Sequence, residues 1–186
     1  MREAMAQAAR KAAQASGGRP VPADNLHVTL AFLGSVPDRR LPDLAAVAEE
    51  AAEPLGPAFA AADSPAGALE LAFDRLEYWR AAKLLCALPA EPPALVTALA
   101  RRLQKLLVGR GFTPDLKPFR PHVTVVRKVV RSGTTDELRK MQPVIWRFTE
   151  LALVASRTLP DGALYSVVGS YPLCGGRKSA NNSETP

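Results

Sequence analysis

The chain has 186 residues, 47% of them hydrophobic, with a formal charge of +6 and a pI near 9.7. That supplies the core of one compact domain, or of one domain built as two lobes, and the basic surplus suits an anionic partner such as RNA. Its two cysteines, Cys86 and Cys174, join no CxxC or Cys/His cluster, which argues against a zinc site and, with no disulfide framework, for a reducing cytoplasm. No run of ~18 apolar residues exists to span a membrane.

The opening "MREAMAQAARKAAQASGG" lacks the apolar stretch of a signal peptide and reads as an amphipathic helix ending at Gly17-Gly18. "RPVPADN" is an extended loop, because two prolines restrict their neighbours. "LHVTLAFLG" predicts a strand from Leu26 to Leu33 stopped by Gly34, followed by a helix that starts near Asp38 or Pro42 and ends before Pro54. Strands are expected over Ala68–Tyr78 and Lys83–Leu88, with "YWRAA" as the turn between them. "EPPALVTALARRLQKLLVGRGF" is the clearest helix, with prolines at its start, Leu95, Leu99, Leu103 and Leu106 at helical spacing, and Gly109 and Gly111 near its end.

After the Pro-rich "TPDLKPFRP" comes a β-branched strand, "HVTVVRKVV". "TTDELRKMQ" suggests a short helix. "WRFTELALVASR" and "ALYSVVGSYPL" read as two strands joined by the turn "TLPDG". The domain is expected to cover residues 1–174, with 175–186 a flexible polar tail. Each half carries one His-Val-Thr strand near its start, so the expected fold class is α+β, with two pseudo-symmetric lobes, each an antiparallel sheet with flanking helices, around an active-site cleft.

The chain has two histidines, His27 and His122, and Val-Thr follows both. On a strand, His27 and Thr29 share one face and Val28 and Leu30 the other; His122 and Thr124 repeat this against Val123 and Val125. A lone strand histidine is more often structural. Here every histidine of the chain sits in one repeated phrase, which favours a site. Facing each other, the two rings form an acid–base pair near neutral pH, and the two threonine hydroxyls can donate to phosphate oxygens. Nothing in the pattern calls for a metal or cofactor.

These paired His-x-Thr motifs resemble those of the 2H phosphoesterase superfamily. "RPVPADNLHVTLAFLGSV", "KPFRPHVTVVRK" and "LALVASRTLPDGALYSVVGSYPL" are similar to the RNA 2',3'-cyclic phosphodiesterases, also called 2'-5' RNA ligases, over about Arg19 to Leu173. The resemblance implies a bilobed α+β fold and hydrolysis of an RNA 2',3'-cyclic phosphate to a 2'-phosphomonoester, with 2'-5' joining as the reverse reaction. It assigns catalysis to His27 and His122, phosphate binding to Thr29 and Thr124, and substrate contacts to Phe32 and Arg127. Both of the last two stand five residues after their histidine, which strict alternation would place on the opposite face; a bulge, a twist or a strand end would have to turn them back. Arg120, Lys117, Tyr165 and Arg157 are weaker candidates.

Family members usually open with a short hydrophobic strand, whereas Met1 leads straight into the first helix here. A fold lacking that strand is therefore expected, with unpaired backbone at a sheet edge and a gap in one lobe that bear on stability and activity, and a monomer unless strand swapping or edge pairing joins two chains. Implied partners are RNA ends carrying a 2',3'-cyclic phosphate, tRNA fragments among them, with no membrane and a cytoplasmic location. The alternatives are a non-catalytic 2H module binding RNA ends or a nucleotide, and a 2H enzyme acting on another cyclic phosphate such as ADP-ribose 1'',2''-cyclic phosphate.

Overall fold

The computed structural model describes residues 2–53, 68–115, 117–130, 140–159 and 162–173. Helix α1, Arg2–Ser16, turns Met5, Ala9 and Ala12 into the core and ends at Gly17, whose φ of +66° suits a residue without Cβ. Strand β1 is the short Arg19–Pro20. One 3-10 turn covers Ala23–Asn25, and another, Asp38–Arg40, leads into α2, Leu41–Ala52. Then follow β2, Leu69–Trp79, and β3, Leu84–Leu88. Helix α3 is Ala94–Gly109, and β4, β5, β6 and β7 are Val123–Arg127, Lys140–Phe148, Glu150–Leu159 and Gly162–Pro172.

The strands form two antiparallel sheets: five strands in the order β1-β4-β3-β2-β5, and the hairpin β6-β7. The larger core lies on one face of the five-stranded sheet. There Leu71, Phe73, Leu85, Val123 and Val125 meet the small residues of α1 and Val96 and Leu99 of α3. The smaller core joins Leu44 and Val47 of α2 to Leu107 of α3 and Phe112, with Leu153 of β6 packed against it. Helix α3 thus contributes to both cores, and Leu103 and Leu106 touch both.

The α+β class and the antiparallel sheets are as expected, but the lobes are not the two halves of the sequence. Strand β1 and helix α1, from the N-terminal part, pack on β4. Three local expectations change. Leu26–Leu33 forms no regular strand: its ladder is a single antiparallel bridge, Val28 to Val123. An alternating pattern becomes a strand only where a neighbour takes up its N–H and C=O groups. "WRFTELALVASR" is two strands, since β5 ends at Phe148 and β6 begins at Glu150. Residues 134–139 of the expected short helix lie outside the described residues, and Lys140, Met141 and Gln142 open β5 instead. The expected tail also lies outside the described residues.

Candidate active site

The second motif is held by β4. Val123, Val125 and Val126 are buried, while Thr124 and His122 lie on the other side of the strand, partly accessible. Thr124 pairs with Cys86 and Val126 with Leu85, so Val125 is one extra residue in β4. This bulge breaks the alternation. Because directly opposite residues share a face, Val126 goes with Leu85 to the core and Arg127 returns to the side of Thr124 and His122.

The first motif makes the same adjustment without a ladder. Leu26, Val28 and Leu30 pack on the larger core, Ala31 and Leu33 on the smaller one, and His27, Thr29 and Phe32 are exposed. The apolar positions after each histidine are therefore +1, +3 and +4, and the residue at +5 comes back to the histidine's side. Phe32, 65% exposed, is not a core residue.

One contact brings the two phrases together. Val28 bridges Val123 antiparallel. Continuing that register by one residue either way sets His27 against Thr124 and Thr29 against His122. On that register all four would lie on the face opposite the two valines.

Each ring is fixed by its own chain. His27 Nδ1 lies 2.7 Å from the carbonyl oxygen of Asn25, and His122 Nδ1 lies 2.8 Å from that of Arg120. A carbonyl only accepts, so both Nδ1 atoms carry the proton, and each Nε2 is left to exchange protons with something else. An aromatic ring leans on each imidazole: Tyr165 of β7 edge-on to His27 at 4.9 Å, and Trp79 of β2 against His122 at 4.5 Å. Asn25 Nδ2 also donates to the carbonyl of Ala163 in β7 at 3.4 Å, tying the first motif to the hairpin.

The two surroundings differ in charge. Glu77 accepts hydrogen bonds from Trp79 Nε1 (2.9 Å) and from Arg120 (2.9 and 3.2 Å), and the Arg120 guanidinium stands 5.8 Å from the centre of the Trp79 ring. Trp79, which supports the His122 ring, and Arg120, whose carbonyl fixes it, thus share one carboxylate. Beneath Thr124, burial pushes the Cys86 thiol up to about 12, so it stays protonated; its Sγ is 3.9 Å from Thr124 Oγ1. Among the described residues no group of three or more His, Cys, Asp or Glu side chains could hold a metal ion, and no helix is long and apolar enough to cross a membrane.

A sequence profile of the 2'-5' RNA ligase superfamily matches residues 2–158, most of the chain. The chain belongs to that superfamily, one of the 2H phosphoesterases. A relative named RNA 2',3'-cyclic phosphodiesterase from Thermus thermophilus is 29% identical over 191 residues, covering 97% of this chain and 89% of that protein. The protein of the same name from Escherichia coli K12 is 31% identical over 117 residues, which span 63% of this chain and only 59% of that protein. The crystal structure of E. coli LigT complexed with 3'-AMP superposes with a TM-score of 0.73 at 25% identity, covering 92% of this chain and 90% of that one. The crystal structure of TT0787 of T. thermophilus superposes with a TM-score of 0.70 at 25% identity, covering 95% and 93%.

Of the residues that sequence singles out, His27 and Thr29 flank Val28 and His122 and Thr124 flank Val123, the two residues the bridge joins, and Phe32 and Arg127 lie on the outward sides of their segments. Lys117 pairs with Asp115 at 3.0 Å, and the two hydrogen bonds it donates, from side chain and backbone, hold that carboxyl below its ordinary range. Sequence reasoning missed Glu77 and Trp79. It gave Trp79 to a turn, whereas β2 runs through Trp79, which pairs with Leu84. The available signal was the alternation Glu77-Tyr78-Trp79 continuing that of β2.

Proposed function

We propose that this chain hydrolyses the 2',3'-cyclic phosphate at the end of an RNA to a 2'-phosphomonoester, using His27 and His122 without a metal. The observation that supports this reading is the Val28–Val123 bridge, because its register, carried one residue either way, would put two imidazoles and two threonine hydroxyls on one face. The names of the T. thermophilus and E. coli relatives support the same reaction class.

A water oxygen attacks phosphorus and the bond from phosphorus to the 3' oxygen breaks. His122, neutral with Nδ1–H on the Arg120 carbonyl, takes the water proton on Nε2. His27, protonated on both nitrogens with Nδ1–H on the Asn25 carbonyl, gives its Nε2 proton to the leaving 3' oxygen. The ring–carbonyl bond is compatible with both protonation states, so neither ring turns during the cycle. Thr29 and Thr124 donate to the non-bridging oxygens, where charge gathers. Arg127 supplies a fixed cation and Phe32 an exposed ring for a base. With a 5' hydroxyl in place of water, the same proton transfers open the cyclic phosphate into a 2'-5' phosphodiester, the 3' oxygen again leaving with the proton from His27. The reading assigns the protein to the cytoplasm, to act there as a monomer on RNA ends such as those of cleaved tRNA.

The test is incubation with an oligoribonucleotide ending in a 2',3'-cyclic phosphate, in EDTA, and chromatography against 2'- and 3'-phosphate standards. A 2'-phosphate product that His122→Ala abolishes is the expected result. Salt-sensitive RNA binding without product would instead identify a non-catalytic RNA-end module.

A further inference from the structure

Among the described residues two non-glycines adopt left-handed backbone, and both are lysines: Lys83 with φ 53° and Lys128 with φ 54°. They are neighbours, because the N–H of Val129 donates to the carbonyl of Lys83 at 3.0 Å. Lys83 closes the β2–β3 turn and Lys128 follows β4. Glycine fits this backbone without strain and a side chain does not, so strain of this kind gathers where the side chain is used.

The two lysines continue into two arginines. Arg127 precedes Lys128 and stands directly opposite Arg19 of β1. Gly18 permits this approach, since a Cβ there would lie 2.8 Å from the Arg127 carbonyl oxygen. Like charges directly opposite on antiparallel strands repel. Arg19, Lys83, Arg127 and Lys128 are all exposed, and among the described residues none has a carboxylate partner, whereas Arg40, Arg102, Arg110 and Arg120 each hold one. Four unneutralised cations are thus contiguous at the end of β4, about 10 Å along the strand from Thr124.

We propose that these four residues form a subsite for the phosphodiester backbone of the RNA, next to the nucleotide that carries the cyclic phosphate. This deepens the proposed function and rests on it: the substrate is an oligonucleotide, not a cyclic mononucleotide or an ADP-ribose cyclic phosphate. Backbone phosphates are the partner that fits, because a cluster of exposed, unpaired cations positions a strand and reads no sequence.

The experiment compares kcat/KM for an oligoribonucleotide 2',3'-cyclic phosphate and for a 2',3'-cyclic mononucleotide across a salt series. The proteins are the wild type, Lys83→Gly, Lys128→Gly and the double variant, whose glycines accept the left-handed backbone. The expected result is a steep salt dependence for the oligonucleotide alone, shallower by about 0.7 in log–log slope per lysine removed. The oligonucleotide-to-mononucleotide ratio should also fall several-fold at low salt in the double variant. An unchanged ratio and slope in the double variant, with the mononucleotide still cleaved, would overturn the subsite and leave the catalytic reading standing. If neither substrate is cleaved, the catalytic reading fails. Fluorescence anisotropy with the uncleaved oligonucleotide then decides the patch separately: weaker binding by the double variant supports it, and equal binding overturns it.

Discussion

Glu77→Ala tests how the His122 ring is held. The carboxylate ties Trp79 Nε1 and Arg120 together at 2.9 Å each, and Trp79 supports the imidazole at 4.5 Å. The Arg120 and Glu77 side chains are 55% and 38% exposed, so screening limits the ion pair to under ~1 kcal/mol, and the melting temperature should hardly move. The ring contact is worth about 0.5–1.5 kcal/mol. Lost from the transition state, it lowers kcat by about two- to twelvefold, because ~1.4 kcal/mol is one decade. KM should stay put, since Glu77 itself is not assigned to substrate. Glu77→Gln keeps an acceptor for the indole and should retain most of the activity. Only two histidines exist, so 15N-histidine labelling gives two ring systems, with His27 as the internal control. In Glu77→Ala only the His122 ring signals should shift. Unchanged His122 signals, or a Gln variant as poor as the Ala variant, would refute the argument.

Four further outcomes are expected. His27→Ala and His122→Ala should each lose at least about a hundredfold in kcat, the lower end of acid–base catalysis, while circular dichroism and melting stay near wild type. The labelled rings should both show the Nδ1–H tautomer in their neutral state, which the carbonyls of Asn25 and Arg120 impose; an Nε2–H ring at either position would remove the proton pathway described. Thr124→Val keeps the shape beside Cys86 and removes the hydroxyl, so kcat should drop about tenfold or more with little change in stability, as for a lost hydrogen bond to a charged group. In a Cys174→Ser background, Cys86, raised to about 12, should ignore a thiol reagent at pH 8 until the chain is unfolded, since its thiolate fraction is roughly one in ten thousand.

The helices could be read directly, because their signals are local: the leucine spacing and bounding prolines of α3, and Gly17-Gly18 after α1. The repeated His-Val-Thr phrase was equally legible, since both histidines of the chain lie in it. What failed depended on which residues pair across from one another, and alternation alone does not fix that. Leu26–Leu33 alternates like a strand but meets β4 at one residue only. Trp79 ends a run that looks like a turn until Leu84 is found opposite it. The position of Arg127 and Phe32 was in fact encoded: "HVTLAF" and "HVTVVR" both place apolar residues at +1, +3 and +4, and two successive apolar positions mark a break in alternation. Reading each strand as uniformly alternating concealed it.

The same repetition bears on the chemistry. Hydrolysis needs one neutral and one protonated imidazole at the same moment. The two motifs supply identical phrases and near-identical ring–carbonyl bonds of 2.7 and 2.8 Å, so nothing within them distinguishes acid from base. The difference must come from the neighbours. His27 is exposed and meets the edge of a phenol ring carried by the hairpin. His122 is half-buried against an indole whose N–H is bonded to a carboxylate, and that carboxylate also holds the arginine whose carbonyl fixes the ring. A symmetric pair of motifs has thus been placed in an asymmetric pair of settings. Exchanging Trp79 and Tyr165 for phenylalanine, one at a time, would show the asymmetry as unequal effects on the two limbs of the pH–rate profile. Equal effects on both limbs would mean that the aromatic neighbours only pack.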